Sequence, residues 1–167
     1  MKTLIESILG NTEETNKSLS NLVPKAVDLG LPSKTKWADR NVRAKKPEDY
    51  GDYIDWNTAK DVKIGKLHCP TLKQIEELYN ECKWDRIKIN GIEGYKVTGP
   101  NGKSIFLPAA GYKDDNERDA KYVNLNGYYW TSSMMYTALA YELYFNSSNR
   151  LLFDNIISNC YTMRLVQ

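Results

Sequence analysis

Long hydrophobic runs are absent from this sequence. No stretch approaches the ~18 consecutive apolar residues of a membrane-spanning helix, and the N-terminus has no apolar run of signal-peptide length. We therefore expect no signal peptide in this chain and no membrane insertion. The expected location is the cytoplasm, or a virion assembled in the cytoplasm.

Cysteine and histidine are scarce, which argues against most catalytic and metal sites. The three cysteines, Cys69, Cys82 and Cys160, cannot form a complete disulfide framework, so a reducing compartment is expected. His68 is the only histidine, and metal-ligand spacings such as C-x-x-C are missing. We predict no enzymatic activity, no metal and no cofactor. An enzymatic interpretation would require a pocket that converges on Cys160 or His68.

Charge of one sign is not concentrated anywhere in the chain. The 23 basic and 21 acidic residues give a net charge of +2 without a long single-sign run. Glycine-rich phosphate-binding loops are also missing. Nucleic acid is therefore not an expected partner.

The last forty residues have a composition of their own. They contain six of the twelve tyrosines, together with many serines and asparagines. Tyrosine supplies rigid amphipathic contact area, and serine and asparagine supply adaptable hydrogen bonds, as in a recognition surface. A tyrosine-rich sheet face without a ligand would have the same composition. Between positions 128 and 167 only four residues carry charge, namely Glu142, Arg150, Asp154 and Arg164.

A helix is predicted at residues 71–83. Thr71 and Gln74 have the spacing of a capping box. A second, short amphipathic helix is predicted before Gly10, and we assign residues 1–25 to this helix and a linker. In the helix predicted at 71–83, apolar residues recur at three- and four-residue spacing, at Leu72, Ile75, Leu78, Tyr79 and Cys82.

Strand patterns fill much of the remaining chain. The Asn101–Gly102 pair between two apolar runs predicts a β-hairpin, and Asn126–Gly127 predicts a second turn. One or two helices against several short antiparallel strands indicate an α+β domain. The predicted strands lie at 26–33, 36–42, 95–98, 104–107, 128–132, 140–145, 151–153 and 161–166.

Several sequence blocks, taken together and in order, resemble a known family. They resemble the Fibrobacter-succinogenes-type major paralogous domain, a bacterial branch of the C-type-lectin-like fold that is related to formylglycine-generating enzyme. The C-terminal pattern is also similar to the variable proteins of diversity-generating retroelements in bacteria and phages. The blocks are AVDLGLPS at 26–33, KWADRNV at 36–42, PEDYGDY at 47–53, CPT at 69–71, GYKVTGPNG at 94–102, IFLPAAGY at 105–112 and GYYWTSS at 127–133.

The resemblance implies a fold and a mode of action. It implies a C-type-lectin-like domain at 26–167, with the helix packed on the sheet and the first and last strands paired. Trp37 to Val42 would then lie beside Met163 to Val166. In the retroelement proteins a fixed scaffold presents diversified positions near the C-terminus. The oxidase activity of formylglycine-generating enzyme is not implied, because Cys160 has no second cysteine near it.

We therefore predict a non-enzymatic protein that binds a protein or a surface glycan through a diversified C-terminal surface. The alternative is a structural module in which this surface forms a homo-oligomer contact that the N-terminal helix completes. The predicted ligand-binding residues are Met134, Met135, Tyr136, Leu139, Tyr141, Glu142, Tyr144, Asn146, Leu151, Phe153, Asp154, Asn155, Ile156 and Tyr161.

Overall fold

Short antiparallel strands dominate the computed structural model, which describes residues 23–115 and 117–167. Within these residues there are twelve strands and two helices. The helices are α1 (Trp56–Ala59) and α2 (Leu72–Glu81). The strands are β1 (Ala26–Asp28), β2 (Lys36–Ala38), β3 (Ile54–Asp55), β4 (Lys63–Ile64), β5 (Leu67–His68), β6 (Lys83–Ile89), β7 (Ile92–Thr98), β8 (Ser104–Pro108), β9 (Gly127–Tyr136), β10 (Leu139–Phe145), β11 (Arg150–Ile156) and β12 (Cys160–Tyr161).

Helix α2 begins at the predicted capping box. The Thr71 side chain accepts a hydrogen bond from the backbone N–H of Gln74, whose own side chain accepts one from the backbone N–H of Thr71. These bonds satisfy two donors that the first helical turn leaves open. Ile75 and Leu78 are buried, so the predicted helix and its apolar face are confirmed.

Two tight turns join β6, β7 and β8 into a three-stranded sheet. The predicted hairpin at Asn101–Gly102 is confirmed, and Gly102 has a φ of +83° that favours glycine. Asn90–Gly91 forms a second turn with both residues at positive φ, as a two-residue hairpin of this type requires.

A second three-stranded sheet, ordered β11–β10–β9, follows in the chain. The β10–β11 pair is regular from Leu139–Ile156 to Phe145–Arg150. The β9–β10 pair has register shifts around Ala140, and bulges of this kind bend a strand and raise its twist. Gly127 begins β9 because a β-carbon there would overlap the Phe145 ring.

Buried residues form two apolar clusters, and the β9–β10–β11 sheet contributes to both. Leu143 and Phe145 lie in the cluster that also contains α2 residues. Trp130 and Ala140 lie in the cluster that contains Trp56. The sheet therefore packs against buried residues on both of its faces.

The predicted α+β C-type-lectin-like fold with paired first and last strands is wrong. The described residues form small antiparallel sheets with little helix, a β-rich fold. Strand β1 pairs with β2, and β12 pairs with β3. Strand β12 ends at Tyr161, so most of the strand predicted at 161–166 is irregular backbone. Short strands such as β3 and β4 have too few residues to show a period, so the sequence pattern understated the β content.

The narrower expectation that residues 37–42 lie beside residues 163–166 does hold. Separate backbone hydrogen bonds join Ala38 N to Leu165 O at 2.9 Å and Val42 N to Met163 O at 3.2 Å. The helix predicted before Gly10 lies outside the described residues. Neither described helix is long and apolar enough to cross a membrane.

Candidate functional site

Alternate side chains of β10 lie on opposite faces of the sheet. Leu143 and Phe145 are buried in the core beneath the sheet. Glu142 and Tyr144 lie on the other face, because successive side chains of a strand point to opposite sides. This face, called the outer face here, carries the candidate site.

The neighbouring strands place aromatic and aliphatic residues on the same outer face. Tyr144 lies between Tyr128 on β9 and Leu151 on β11. Glu142 is paired in the same way with Phe153 on β11. Residues that oppose each other in an antiparallel pair share a face. Together they surround a depression of about 270 Å³, here called the aromatic pocket, which is lined by Tyr128, Glu142, Tyr144, Leu151, Phe153 and Asn155.

The aromatic rings continue beneath and beside the pocket as one connected cluster. Ring centroids are 5.1 Å apart for Tyr128 and Tyr144, and 5.2 Å apart for Tyr128 and Tyr161. Tyr161 stacks on Trp130 at 4.1 Å, and Tyr112 meets Tyr128 edge-on at 5.1 Å. Such spacings lie within the favourable range for aromatic pairs, so the rings hold one another in place.

Asparagine side chains fix the hydroxyl ends of three of these tyrosines. Each amide lies two residues from its tyrosine and donates to the phenolic oxygen. Every hydroxyl therefore keeps its own proton available for a further acceptor. The pairs are Asn126 with Tyr128 at 3.1 Å, Asn146 with Tyr144 at 2.9 Å and Asn159 with Tyr161 at 3.1 Å.

Glu142 is the unusual residue of the aromatic pocket. It is only 1% exposed, and its Oε2 has no hydrogen-bond partner. Burial raises the pKa of Glu142 to about 7, and the negative charge of Asp154 acts in the same direction. The side chains of Tyr161 and Asn155 favour the ionised form and act against this rise in pKa. The carboxyl group therefore titrates near neutral pH instead of remaining ionised throughout the physiological range.

Apolar side chains are exposed beside the pocket and at the far end of the sheet. Phe153 is 57% exposed and lies at the pocket with Leu151. Tyr136 is 66% exposed and is paired with Leu139, which in turn opposes Ile156. Met134 and Met135 precede this end and are also exposed.

The structure divides the predicted ligand-binding residues into three groups. Five of them line the aromatic pocket: Glu142, Tyr144, Leu151, Phe153 and Asn155. A second group, Met134, Met135, Tyr136, Leu139 and Ile156, lies toward the β9–β10 turn. The third group, Tyr141, Asp154, Asn146 and Tyr161, lies outside both.

The third group needs individual correction. Tyr141 and Asp154 oppose each other on the face that does not form the pocket. Tyr161 is 1% exposed and supports the pocket from below. Asn146 holds the Tyr144 hydroxyl. Glu142 and Tyr161, expected on a displayed surface, are each only 1% exposed, because aromatic rings pack around them.

The sequence-based prediction missed Tyr128, which lines the pocket, and Tyr112, which packs against it. A signal for Tyr128 was present, because Tyr128 and Trp130 alternate with the buried Tyr129 in β9. No local signal marks Tyr112, which precedes the tyrosine-rich C-terminal segment in the sequence.

Two of the residues considered for catalysis, His68 and Cys69, line one depression, and Cys160 lines another. Burial raises the pKa of Cys69 to about 12, so its thiol is protonated at neutral pH. The His68 Nδ1 lies 2.9 Å from the backbone oxygen of Cys69. Across residues 23–115 and 117–167, no group of three or more His, Cys, Asp or Glu side chains could hold a metal ion.

A larger depression of about 490 Å³ is lined by Lys60, Lys63 and Lys66. Lys60 is already paired with Asp61 at 2.6 Å. None of the described residues that line it has a buried side-chain polar atom without a partner. Of these two depressions, the aromatic pocket is therefore the better candidate, because it combines clustered rings with an unsatisfied buried group.

Comparison with known proteins gives one match. A family model described as "Domain of unknown function (DUF8237)" matches residues 55–166, a range that includes the whole β9–β10–β11 sheet. No curated protein and no solved structure matches the chain.

Proposed function

The chain belongs to the DUF8237 family, and we propose that it is a non-enzymatic ligand-binding protein. Its recognition surface is the β9–β10–β11 sheet, with the aromatic pocket on one face and with Leu139 and Ile156, near the β9–β10 turn, on the other. One observation carries the proposal. Of nine exposed large hydrophobic side chains in the described residues, six belong to this sheet: Met134, Met135, Tyr136, Leu151, Phe153 and Ile156.

Such a concentration of exposed apolar side chains favours a binding role. Single exposed apolar residues are common on soluble proteins, but clusters such as Leu151 and Phe153 beside the aromatic pocket usually mark interaction sites. Large exposed aromatic residues such as Tyr136 and Phe153 are typical anchors in protein interfaces. Truncation of an effective anchor costs about 1–2 kcal/mol or more of binding free energy.

The surface is also rigidly supported, which lowers the entropic cost of binding. The Tyr79 hydroxyl donates to the backbone oxygen of Arg150 at 2.8 Å. The Arg150 guanidinium lies over the rings of Tyr79 and Trp84, at 4.5 and 4.7 Å from their centroids. Tyr95 similarly donates to the backbone oxygen of Asn146 at 3.0 Å. Strand β11 and the loop before it are thus held by contacts from α2, β6 and β7.

In this proposal the ligand is a protein or a surface glycan. The sequence blocks that resemble retroelement variable proteins support a receptor-binding protein of a phage, or a diversified bacterial protein. Three free cysteines agree with assembly in the cytoplasm, where the protein would remain or be packaged into a virion. No nucleic-acid partner is proposed.

The experiment compares the wild-type protein with a Tyr136→Ser/Leu151→Ser/Phe153→Ser variant in pull-downs from candidate host extracts. We expect a partner retained by the wild-type protein and lost by the triple variant. The matched control is Leu125→Ser, because Leu125 is exposed but lies outside the sheet. A partner that the triple variant retains would contradict the proposal.

The alternative function, a homo-oligomer contact, is tested by size-exclusion chromatography with light scattering. A stable oligomer that dissociates in the triple variant would replace ligand binding by self-association. A monomeric wild-type protein would exclude that alternative.

Diversification is tested separately in the genome. We expect a reverse-transcriptase gene near the coding sequence, together with a near-copy of the segment that encodes the sheet, differing mainly at adenines. Their absence would remove the variable-protein part of the proposal and leave the binding surface itself untouched.

A further inference from the structure

Tyr161 and Asn155 hydrogen-bond to the Glu142 carboxylate, but one of its two oxygens, Oε2, lacks a donor. Oε2 is buried and unpartnered, although Glu142 lines the aromatic pocket. A buried acceptor left without a donor costs about 1–3 kcal/mol, and more when it is charged. A ligand that brings an N–H or O–H group into the pocket would remove this cost.

The charge of Glu142 is also uncompensated. Among the residues that the structure describes, no lysine or arginine forms an ion pair with Glu142. The one charged side chain that acts on it is Asp154, which is also acidic. A neutral ligand such as a sugar could donate a hydrogen bond but could not balance the charge. A cation could do both.

Aromatic rings surround the carboxylate and favour the same class of ligand. Tyr128, Tyr144 and Phe153 line the pocket with Glu142. The faces of aromatic rings carry negative electrostatic potential and attract ammonium groups that lie within about 6 Å. A quaternary ammonium would satisfy the rings but has no N–H group for Oε2. A primary alkylammonium satisfies both.

The size of the pocket sets the size of the bound group. Its volume of about 270 Å³ is slightly below the ~300–1,000 Å³ of pockets that enclose a whole small ligand. It therefore suits one side chain or chain terminus of a larger partner, with the surrounding exposed residues contacting the remainder.

We propose that the aromatic pocket binds a primary alkylammonium group of a protein or peptide ligand, with Glu142 accepting its N–H and the pocket rings surrounding it. The inference rests on the proposed function, because it assigns a ligand chemistry to one part of the same recognition surface. The group is either a lysine side chain or an N-terminal amine, since both carry the same chemistry.

Small probes test the pocket without the natural partner. The full-length protein at pH 8 is titrated with n-butylammonium, and binding is followed by NMR chemical shifts of residues in β9, β10 and β11. We expect saturable shifts that 1-pentanol, a neutral molecule of similar shape, does not produce. Lysine with blocked backbone groups and alanine amide then distinguish a side-chain amine from an N-terminal amine.

Two variants isolate the carboxylate. Glu142→Gln removes the charge and keeps the shape, and we expect at least a tenfold loss of n-butylammonium affinity. Glu76→Gln makes the same change at an exposed position of α2 and should change the affinity less than twofold. Thermal unfolding of both variants verifies that they remain folded.

The pH dependence provides a third readout. The titratable groups that face or act on Glu142 are Tyr144 on its own strand, Tyr128 on β9, Asp154 on β11 and Tyr161 on β12. Because the probe binds the ionised carboxylate, we expect wild-type affinity to increase from pH 5.5 to pH 8. The Glu142→Gln variant should show no such increase.

Several results would overturn the proposed ammonium site or replace it. Equal binding of n-butylammonium and 1-pentanol, unchanged affinity in Glu142→Gln, or no saturable binding would overturn the ammonium site. Binding of methyl glucoside in preference to n-butylammonium would replace it with a glycan site. None of these results decides the proposed function, which depends on the separate Tyr136/Leu151/Phe153 pull-down.

Discussion

The guanidinium of Arg164 donates a hydrogen bond of 2.6 Å from Nη2 to the backbone oxygen of Phe106. The same side chain donates from Nη1 to Ala38 O at 3.1 Å and from Nε to Asn41 Oδ1 at 2.8 Å. Arg164 is 1% exposed. It thus joins the C-terminal segment to β2, to the loop after it and to β8.

Replacing Arg164 should destabilise the protein strongly. Arg164→Met leaves three buried oxygen acceptors without donors, and breaking a buried network of this type typically costs about 3–5 kcal/mol. Arg164→Lys should recover little, because an ammonium cannot reproduce the planar geometry of the three bonds. Urea unfolding measures the effect. The control is Lys88→Met, at an exposed position. If Arg164→Met lowers the free energy of unfolding by less than 1 kcal/mol, the proposed role of the Arg164 hydrogen bonds is contradicted.

Because of Glu142, the stability of the protein should decrease as the pH rises from acidic values to neutrality. Its pKa is about 7 in the folded protein against an ordinary value of 4.5. Between these values the folded state holds a proton that the unfolded state has released, so the free energy of unfolding decreases from about pH 4.5 to about pH 7. The contribution is about 3 kcal/mol, and it is constant above that range.

Glu142→Gln should remove this pH-dependent decrease in the free energy of unfolding. The variant is expected to equal the wild-type protein in stability near pH 5 and to exceed it near pH 8, as measured by urea unfolding at both values. A wild-type protein that gains stability relative to the variant as the pH rises would show that the folded state stabilises the ionised carboxylate instead, and would contradict the raised pKa.

Truncation of two phenylalanines in the same sheet should change the free energy of unfolding by very different amounts. Phe145 is fully buried, whereas Phe153 is 57% exposed. Phe145→Ala should cost about 3–5 kcal/mol of unfolding free energy, whereas Phe153→Ala should change it by no more than about 0.5 kcal/mol. Thermal or urea unfolding measures both. A large loss for Phe153→Ala would indicate a scaffold role and weaken its assignment as a binding anchor.

The capping box of α2 should contribute a modest, local stability. Thr71→Ala removes the acceptor for the Gln74 N–H and should cost about 1 kcal/mol. Thr71→Ser keeps the hydroxyl and serves as the control. Urea unfolding gives the loss, and amide hydrogen exchange of the first turn of α2 should increase in the alanine variant alone. Equal stability of the two variants would show that the cap adds nothing.

Local features were predictable because their causes are local. The Thr71–Gln74 box and the Asn101–Gly102 turn act through hydrogen bonds and backbone angles over a few residues. The concentration of uncharged, tyrosine-rich sequence after position 127 likewise identified the sheet that carries the candidate site. The β-rich architecture was not predictable in the same way, because β3, β4, β5 and β12 are only two residues long.

By itself, the sequence determined where α2 begins, where the Asn101–Gly102 hairpin turns and which segment holds most of the exposed apolar side chains. Only the tertiary structure decided that Glu142 and Tyr161 lie inside that segment instead of on its surface. The reason is distance along the chain: Tyr161 stacks on Trp130, and Tyr112 packs on Tyr128. Burial of a carboxylate depends on such contacts from other strands, which no local pattern records.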